Sequence, residues 1–210
     1  MRVEVWSDVV CPWCYIGKRR LEQALELWRA EGGEDVEVLW RPFELDPGAS
    51  SDGRPLAEAM AEKFGGAERA AQLMAGVTAT AAEVGLEYRF EHAVRANTFD
   101  AHRVLARAAD RGGAELQDAV QERLFRGYFV EGANLGDRAT LTALAADAGL
   151  DGVDLSDTTD AETVRAELAH GIAIGVRSVP TFVVGRQGVA GAQPAEALLD
   201  LLRSHSAQPR

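Results

Sequence analysis

Two cysteines, Cys11 and Cys14, bracket Pro12 and Trp13, and the 210 residues contain no others. An apolar, β-rich stretch, Val3-Glu4-Val5-Trp6, runs into this Cys-Pro-Trp-Cys, and a helical pattern leaves it. Leu21, Leu25 and Trp28 recur at helix spacing, with Ala24 widening the stripe. Cys11 is therefore expected at a strand-to-helix junction, with Pro12 at the first helical position, where its missing N–H costs nothing and its φ is already helical. A sulfur at such an N-cap is expected to face the free amides of Trp13 and Cys14 and the positive end of the helix dipole, both of which favour thiolate. Thiolate is the nucleophile of disulfide exchange. Cys14 shares the helix face of Cys11 and lies within bonding reach. The pair can then open and close a small ring, Cys11 exchanging with substrate and Cys14 resolving the mixed disulfide. Pro12 and Trp13, between the sulfurs, would tune the stability of the reduced form.

Two other chemistries use such a pair. Zinc needs about four ligands, usually two such pairs. Here there is one pair, and His92, His102, His170 and His205 show no ligand spacing, so no metal site is expected. A structural disulfide inside one helical turn closes almost no loop and contributes little stability.

The length fits one domain, or one domain carrying an insertion. A balance of 22 basic against 33 acidic residues, a net charge of −11, argues against nucleic acid and anionic membrane as partners. No apolar run reaches transmembrane length. The N-terminus lacks the charged region, long apolar region and cleavage site of a signal peptide, so a cytoplasmic setting is expected. There a Cys-x-x-Cys reads as catalytic rather than structural.

Along the chain, Gly32-Gly33 ends the first helix, and Val36, Val38 and Trp40 alternate as a second strand running to Leu45. Strand, helix, strand predicts a βαβ unit with parallel pairing. A turn-rich linker covers 46–55. From Leu56 to about Leu150 only helical stripes occur: Met74, Val77, Ala81 and Val84, then Ala101, Val104, Leu105 and Ala108 up to Gly112-Gly113. Leu116, Val120, Leu124 and Tyr128 make the next, and a stripe capped by Asp137 closes the block. Val164, Leu168 and Ile172 form another helix. A buried strand is predicted over Thr181 to Val184, a turn at Arg186-Gln187-Gly188, a returning strand at Val189 to Gly191, and a last helix from Pro194. The end, Ser204 to Arg210, reads as frayed. No repeat is present. The expected organisation is an α/β unit made of 1–45 and 151–210, interrupted by a helical unit over 46–150.

This order, with Ser7-Asp8-Val9-Val10-Cys11-Pro12-Trp13-Cys14-Tyr15-Ile16-Gly17-Lys18, Arg41-Pro42-Phe43-Glu44-Leu45, Asn97 to Arg103 and Gly175 to Phe182, resembles the DsbA-like division of the thioredoxin superfamily. Within it the chain is similar to the FrnE-like branch, whose relatives include 2-hydroxychromene-2-carboxylate isomerases. The resemblance implies a thioredoxin-like fold with a large all-helical insertion. It also implies a thiol–disulfide oxidoreductase acting on protein or small-molecule thiols, with no tightly bound cofactor and with glutathione as a conceivable co-substrate. Cys11 would attack and Cys14 resolve, and Val179-Pro180 would be a cis peptide facing them. The alternative is a glutathione-dependent isomerase or a tailoring enzyme for an aromatic metabolite. In the isomerases serine replaces the first cysteine, so the pair here favours redox chemistry.

The resemblance carries one departure. Such enzymes often hold a buried acid on the first strand, and Val5 occupies that place. Asp8, Asn97, His102, Arg177 and Ser178 are the further candidates for substrate contact. Plainer readings fit them too: a loop or cap carboxylate, an N-cap, a helix-face histidine, and ordinary loop polarity. Trp13 is expected to be exposed, since so short a turn cannot bury it.

Overall fold

The computed structural model describes residues 1–207. Its centre is a four-stranded mixed sheet in the order β2-β1-β3-β4, formed by β1 (Arg2–Ser7), β2 (Glu37–Pro42), β3 (Thr181–Val184) and β4 (Gln187–Ala190). β1 runs parallel to β2, from Arg2 beside Glu37 to Ser7 beside Pro42, and antiparallel to β3, with Val3 beside Val184. The parallel pair is joined by α1 (Pro12–Ala30), as a βαβ crossover requires.

Alternation along the strands divides the molecule into two cores. Val3, Val5, Phe182 and Val184 face α1 and α7 (Ala195–Ser206), packing with Leu21, Leu25, Trp28, Leu198 and Leu202. Full burial of each such side chain contributes about 1.5–3 kcal/mol. Trp6 and Val183 face the other way, toward a second core shared with the helices of the insertion. This is the thioredoxin-like arrangement with a helical insertion.

Between β2 and β3 lie α2 (Leu56–Phe64), α3 (Ala67–Ala82), α4 (Phe99–Phe129), α5 (Arg138–Asp147) and α6 (Ala161–Ala173). A lone antiparallel bridge, Pro55 to Val94, and a 3₁₀ turn over Phe90–His92 interrupt the helices. Helix α4 is two helical runs broken at Gly112 and Gly113, where the Gly113 φ of +65° is open to glycine alone at little cost. Its first half seats Arg103 and Arg107 on Asp160 at the start of α6. Its second half seats Gln117 on β2, where the amide accepts the Trp40 N–H and donates to the Trp40 carbonyl, each at 2.9 Å.

Three sequence expectations need correction. β4 begins at Gln187, because the turn is the two-residue Gly185-Arg186 with a Gly185 φ of +60°, not Arg186-Gln187-Gly188. The second strand stops at Pro42 and leaves Phe43 to Leu45 as loop, with a bend at Leu45. The last helix continues through Ser204 to Ser206. The remainder of the expected frayed end, residues 208–210, lies outside the described residues.

Candidate active site

Cys11 is the N-cap of α1, with φ −86° and ψ 113°, and Pro12 opens the helix. Its amide donates to the Asp8 carbonyl at 3.0 Å, closing the turn that leaves β1. The sequence placed the Cys14 amide toward the Cys11 sulfur. The structure instead has that N–H donating to the Cys11 carbonyl at 3.0 Å, and no side-chain cap bond reaches the sulfur. The Cys14 amide thus closes a tight 3₁₀-type turn at the start of α1.

Both cysteines are free thiols, and both are buried. The Cys11 thiol lies 3.8 Å from the Val179 carbonyl, across 168 residues of chain. The Val179–Pro180 peptide bond is cis. Cys14 has no exposed surface. Burial raises its thiol well above the ordinary range, with Cys11 adding to the effect, while the Asp8 amide and the Ser7 hydroxyl beside its sulfur pull the other way. Trp13 is 40 % exposed, so the only large side chain between the sulfurs stands in solvent.

Gly17 explains how the helix comes so close to the Pro180 loop. A Cβ there would lie 2.9 Å from the Pro180 ring and 3.1 Å from the Phe182 ring. One turn of α1 therefore rests its bare backbone on the residues that follow Val179.

Asp8 and His102 meet inside the protein. One Asp8 oxygen accepts the Leu45 amide at 2.8 Å, and the other stands 3.5 Å from His102 Nε2 without a hydrogen-bond partner. His102 Nε2 is 3.0 Å from the Phe43 carbonyl, which can only accept, so this nitrogen carries the proton. Glu44 stands beside the pair. Burial raises its carboxyl, the Asp8 charge raises it further, and His102 opposes both.

The remaining candidates are placed elsewhere. The Asn97 side chain donates to the Pro47 carbonyl and accepts the Phe99 amide, so its polar atoms bind the linker and the start of α4. Arg177 is exposed and donates to the Ile172 and Val176 carbonyls at the end of α6. Ser178 is exposed, and its carbonyl accepts the Thr181 hydroxyl. No group of three or more metal-capable side chains occurs among the described residues.

Sequence reasoning missed Tyr88. Its hydroxyl donates to the Pro12 carbonyl at 2.6 Å. Leu86, Tyr88 and Phe90 are buried and alternate with Glu87 and Arg89, a period-two signal between the helical stripes that marks an extended segment. Val5, where a buried acid was sought, is fully buried against α1 and α7, and Glu4 points to the opposite face in an ion pair with Arg41.

Comparison with known proteins places this site in context. A family model described as DSBA-like thioredoxin domain matches residues 2–203. The structure resembles that of a probable DsbA oxidoreductase, SCO1869 from Streptomyces coelicolor, with a TM-score of 0.89 and 37 % identity over 100 % of this chain and 92 % of that one. The chain is 29 % identical over 201 residues to the protein YwbO of Bacillus subtilis, covering 91 % of this chain and 90 % of that protein. A cytosolic disulfide reductase, DsbM from Pseudomonas aeruginosa, shares the fold at a TM-score of 0.62 and 20 % identity, with 98 % of each chain covered.

Proposed function

Because the chain belongs to the DSBA-like thioredoxin family, we propose that it is a thiol–disulfide oxidoreductase working through the Cys11–Cys14 pair. The observation that carries this reading is the Cys11 thiol at the mouth of α1, 3.8 Å from the Val179 carbonyl, with Cys14 buried behind it.

In this scheme the Cys11 thiolate attacks one sulfur of a substrate disulfide. A Cys11–substrate disulfide forms, and the other substrate sulfur leaves as a thiolate. Cys14 then gives up its proton, which the released substrate thiolate takes, and attacks the Cys11 sulfur. The second substrate thiolate departs, and a Cys11–Cys14 disulfide remains. Two electrons have passed from the protein dithiol to the substrate, and the reverse sequence oxidises a substrate dithiol. The Ser7 hydroxyl and the Asp8 amide beside the Cys14 sulfur favour its anion at the moment of attack. The exposed Trp13 and the Val179 backbone offer an apolar face and a carbonyl to an extended peptide or small thiol. Protein disulfides, small-molecule disulfides and glutathione are all admissible on these contacts, and a cytoplasmic setting is part of the proposal.

Cys14→Ser tests the scheme, since no other cysteine in the chain can resolve a mixed disulfide. The variant should accumulate covalent adducts on non-reducing gels that vanish with dithiothreitol, and Cys11→Ser should accumulate none. A Cys14→Ser protein free of adducts with undiminished glutathione-dependent activity would transfer the assignment to the isomerase chemistry.

A further inference from the structure

Tyr88 belongs to the stretch between α3 and α4, yet its hydroxyl reaches the redox turn. Its ring is stacked on Phe129 at 4.6 Å between centroids and on Tyr15 at 6.2 Å, with Phe90 edge-on at 5.3 Å. Tyr15 itself follows Cys14 directly, so this aromatic cluster grips the first turn of α1. Three neighbours hold the ring. It donates to the Pro12 carbonyl at 2.6 Å, 76 residues away in sequence.

We propose that Tyr88 is a positioning residue that sets the balance between the dithiol and the disulfide by holding and polarising the Pro12–Trp13 peptide. The inference rests on the thiol–disulfide exchange proposed above. The Pro12 carbonyl and the Trp13 N–H belong to one peptide unit. A hydrogen bond accepted at the oxygen polarises that unit and makes its N–H a stronger donor. The Trp13 N–H is among the helix-start amides that have no partner inside the helix, and it adjoins Cys11. Its partial positive charge favours a thiolate at the start of α1. The disulfide carries no charge there, so the benefit exists only in the reduced protein. Burial, together with the nearby Cys11, Tyr15 and Cys14, holds the Tyr88 hydroxyl in its protonated, donating form, which keeps the contact intact at neutral pH.

The test equilibrates the full chain with glutathione at pH 7. One protein dithiol and one glutathione disulfide give one protein disulfide and two glutathione thiols. Tyr88→Phe keeps the stacked ring and removes only the donor. The bond is made in both redox forms and only its polarising effect on the Trp13 N–H favours the reduced one, so the equilibrium should move about twofold toward the protein disulfide, or about 9 mV for a two-electron couple. Tyr128→Phe is the matched control. It removes the same atom from the same cluster, where the Tyr128 hydroxyl donates to the Val94 carbonyl at 3.0 Å and makes no hydrogen bond to the redox turn. Its equilibrium should match that of wild type while its thermal midpoint falls. An unchanged Tyr88→Phe equilibrium, or equal shifts in the two variants, overturns the role of Tyr88 and leaves the functional reading standing. A wild-type protein with no reversible exchange with glutathione overturns both.

Discussion

The Asp8 carboxylate accepts the Leu45 amide N–H at 2.8 Å, and so ties the turn that carries Cys11 to the segment leaving β2. The same residue takes the Cys11 amide on its carbonyl. Asp8→Ala removes the acceptor and leaves a partly buried donor unmade, which costs about 1–3 kcal/mol. Asp8→Asn keeps an acceptor oxygen and should lose less. Urea unfolding compares the three proteins, and amide exchange at Leu45 should quicken in the alanine variant. Equal unfolding curves would show that the tie carries no weight.

Cys11 and Cys14 should differ toward alkylating agents. The buried Cys14 thiol is held well above its ordinary range, so its thiolate is scarce at neutral pH. Brief iodoacetamide treatment of the reduced protein at pH 7, followed by mass mapping, should place nearly all label on Cys11. Labelling mainly at Cys14 would reverse the assigned roles.

Gly17 leaves no room for a side chain. Gly17→Ala sets a methyl group 2.9 Å from the Pro180 ring, closer than real contacts allow, so either α1 or the Pro180 loop must move. Overpacking of this kind costs about 1–3 kcal/mol. The expected result is a lower thermal midpoint together with slower disulfide exchange. A variant as stable and as active as wild type would show that the loop yields freely.

Lys18 is 3 % exposed, with its ammonium 2.5 Å from Glu22, 3.1 Å from Asp118 and 3.3 Å from Glu122. Burial works against its charge, but Asp118, Glu22 and Glu122 outweigh burial and raise its pKa. For Glu22, burial acts upward, while Lys18 and Arg19 prevail and lower it. A raised lysine gives stability that is present below about pH 10.4 and is lost only as pH climbs through the raised value. A lowered glutamate gives stability that is present above about pH 4.3 and is lost as pH falls through the lowered value. Lys18→Met should therefore be weaker than wild type by about 1–2 kcal/mol at pH 7, the partly solvated carboxylates softening the loss. The gap should narrow below about pH 4. Thermal midpoints from pH 3 to 8 check both signs, and a gap independent of pH would show that Lys18 acts by packing alone.

The features legible in the sequence share a local cause. Cys11 as N-cap, the βαβ start and the break at Gly112-Gly113 are each written in neighbouring residues. Helix α2 carries Leu56, Ala59, Met60 and Phe64 at helix spacing, yet none of them is fully buried, so the stripe marks a helix without showing what covers it. The contacts of Tyr88 with Pro12, His102 with Phe43 and Gln117 with Trp40 join residues 59 to 77 positions apart, and no period within one element encodes them. Lys18 reads as a surface charge, because its burial depends on carboxylates supplied by α4. The tight first turn of α1 depends on backbone angles, which residue types alone leave open.

The central strand β1 acquires its last neighbour very late. Val3 pairs with Val184, and the Cys11 thiol meets Val179, so the chain's first strand and first functional residue wait for its final fifth. During synthesis from the N-terminus, one edge of β1 stays unpaired and both thiols lack the Val179 wall until nearly the whole protein has been made. Non-local pairing of this kind is slow and leaves strand edges open to wrong partners. The proposed redox centre thus takes shape only when the chain is almost complete, and a nascent fragment ending before residue 179 carries both cysteines without the Val179 carbonyl beside them.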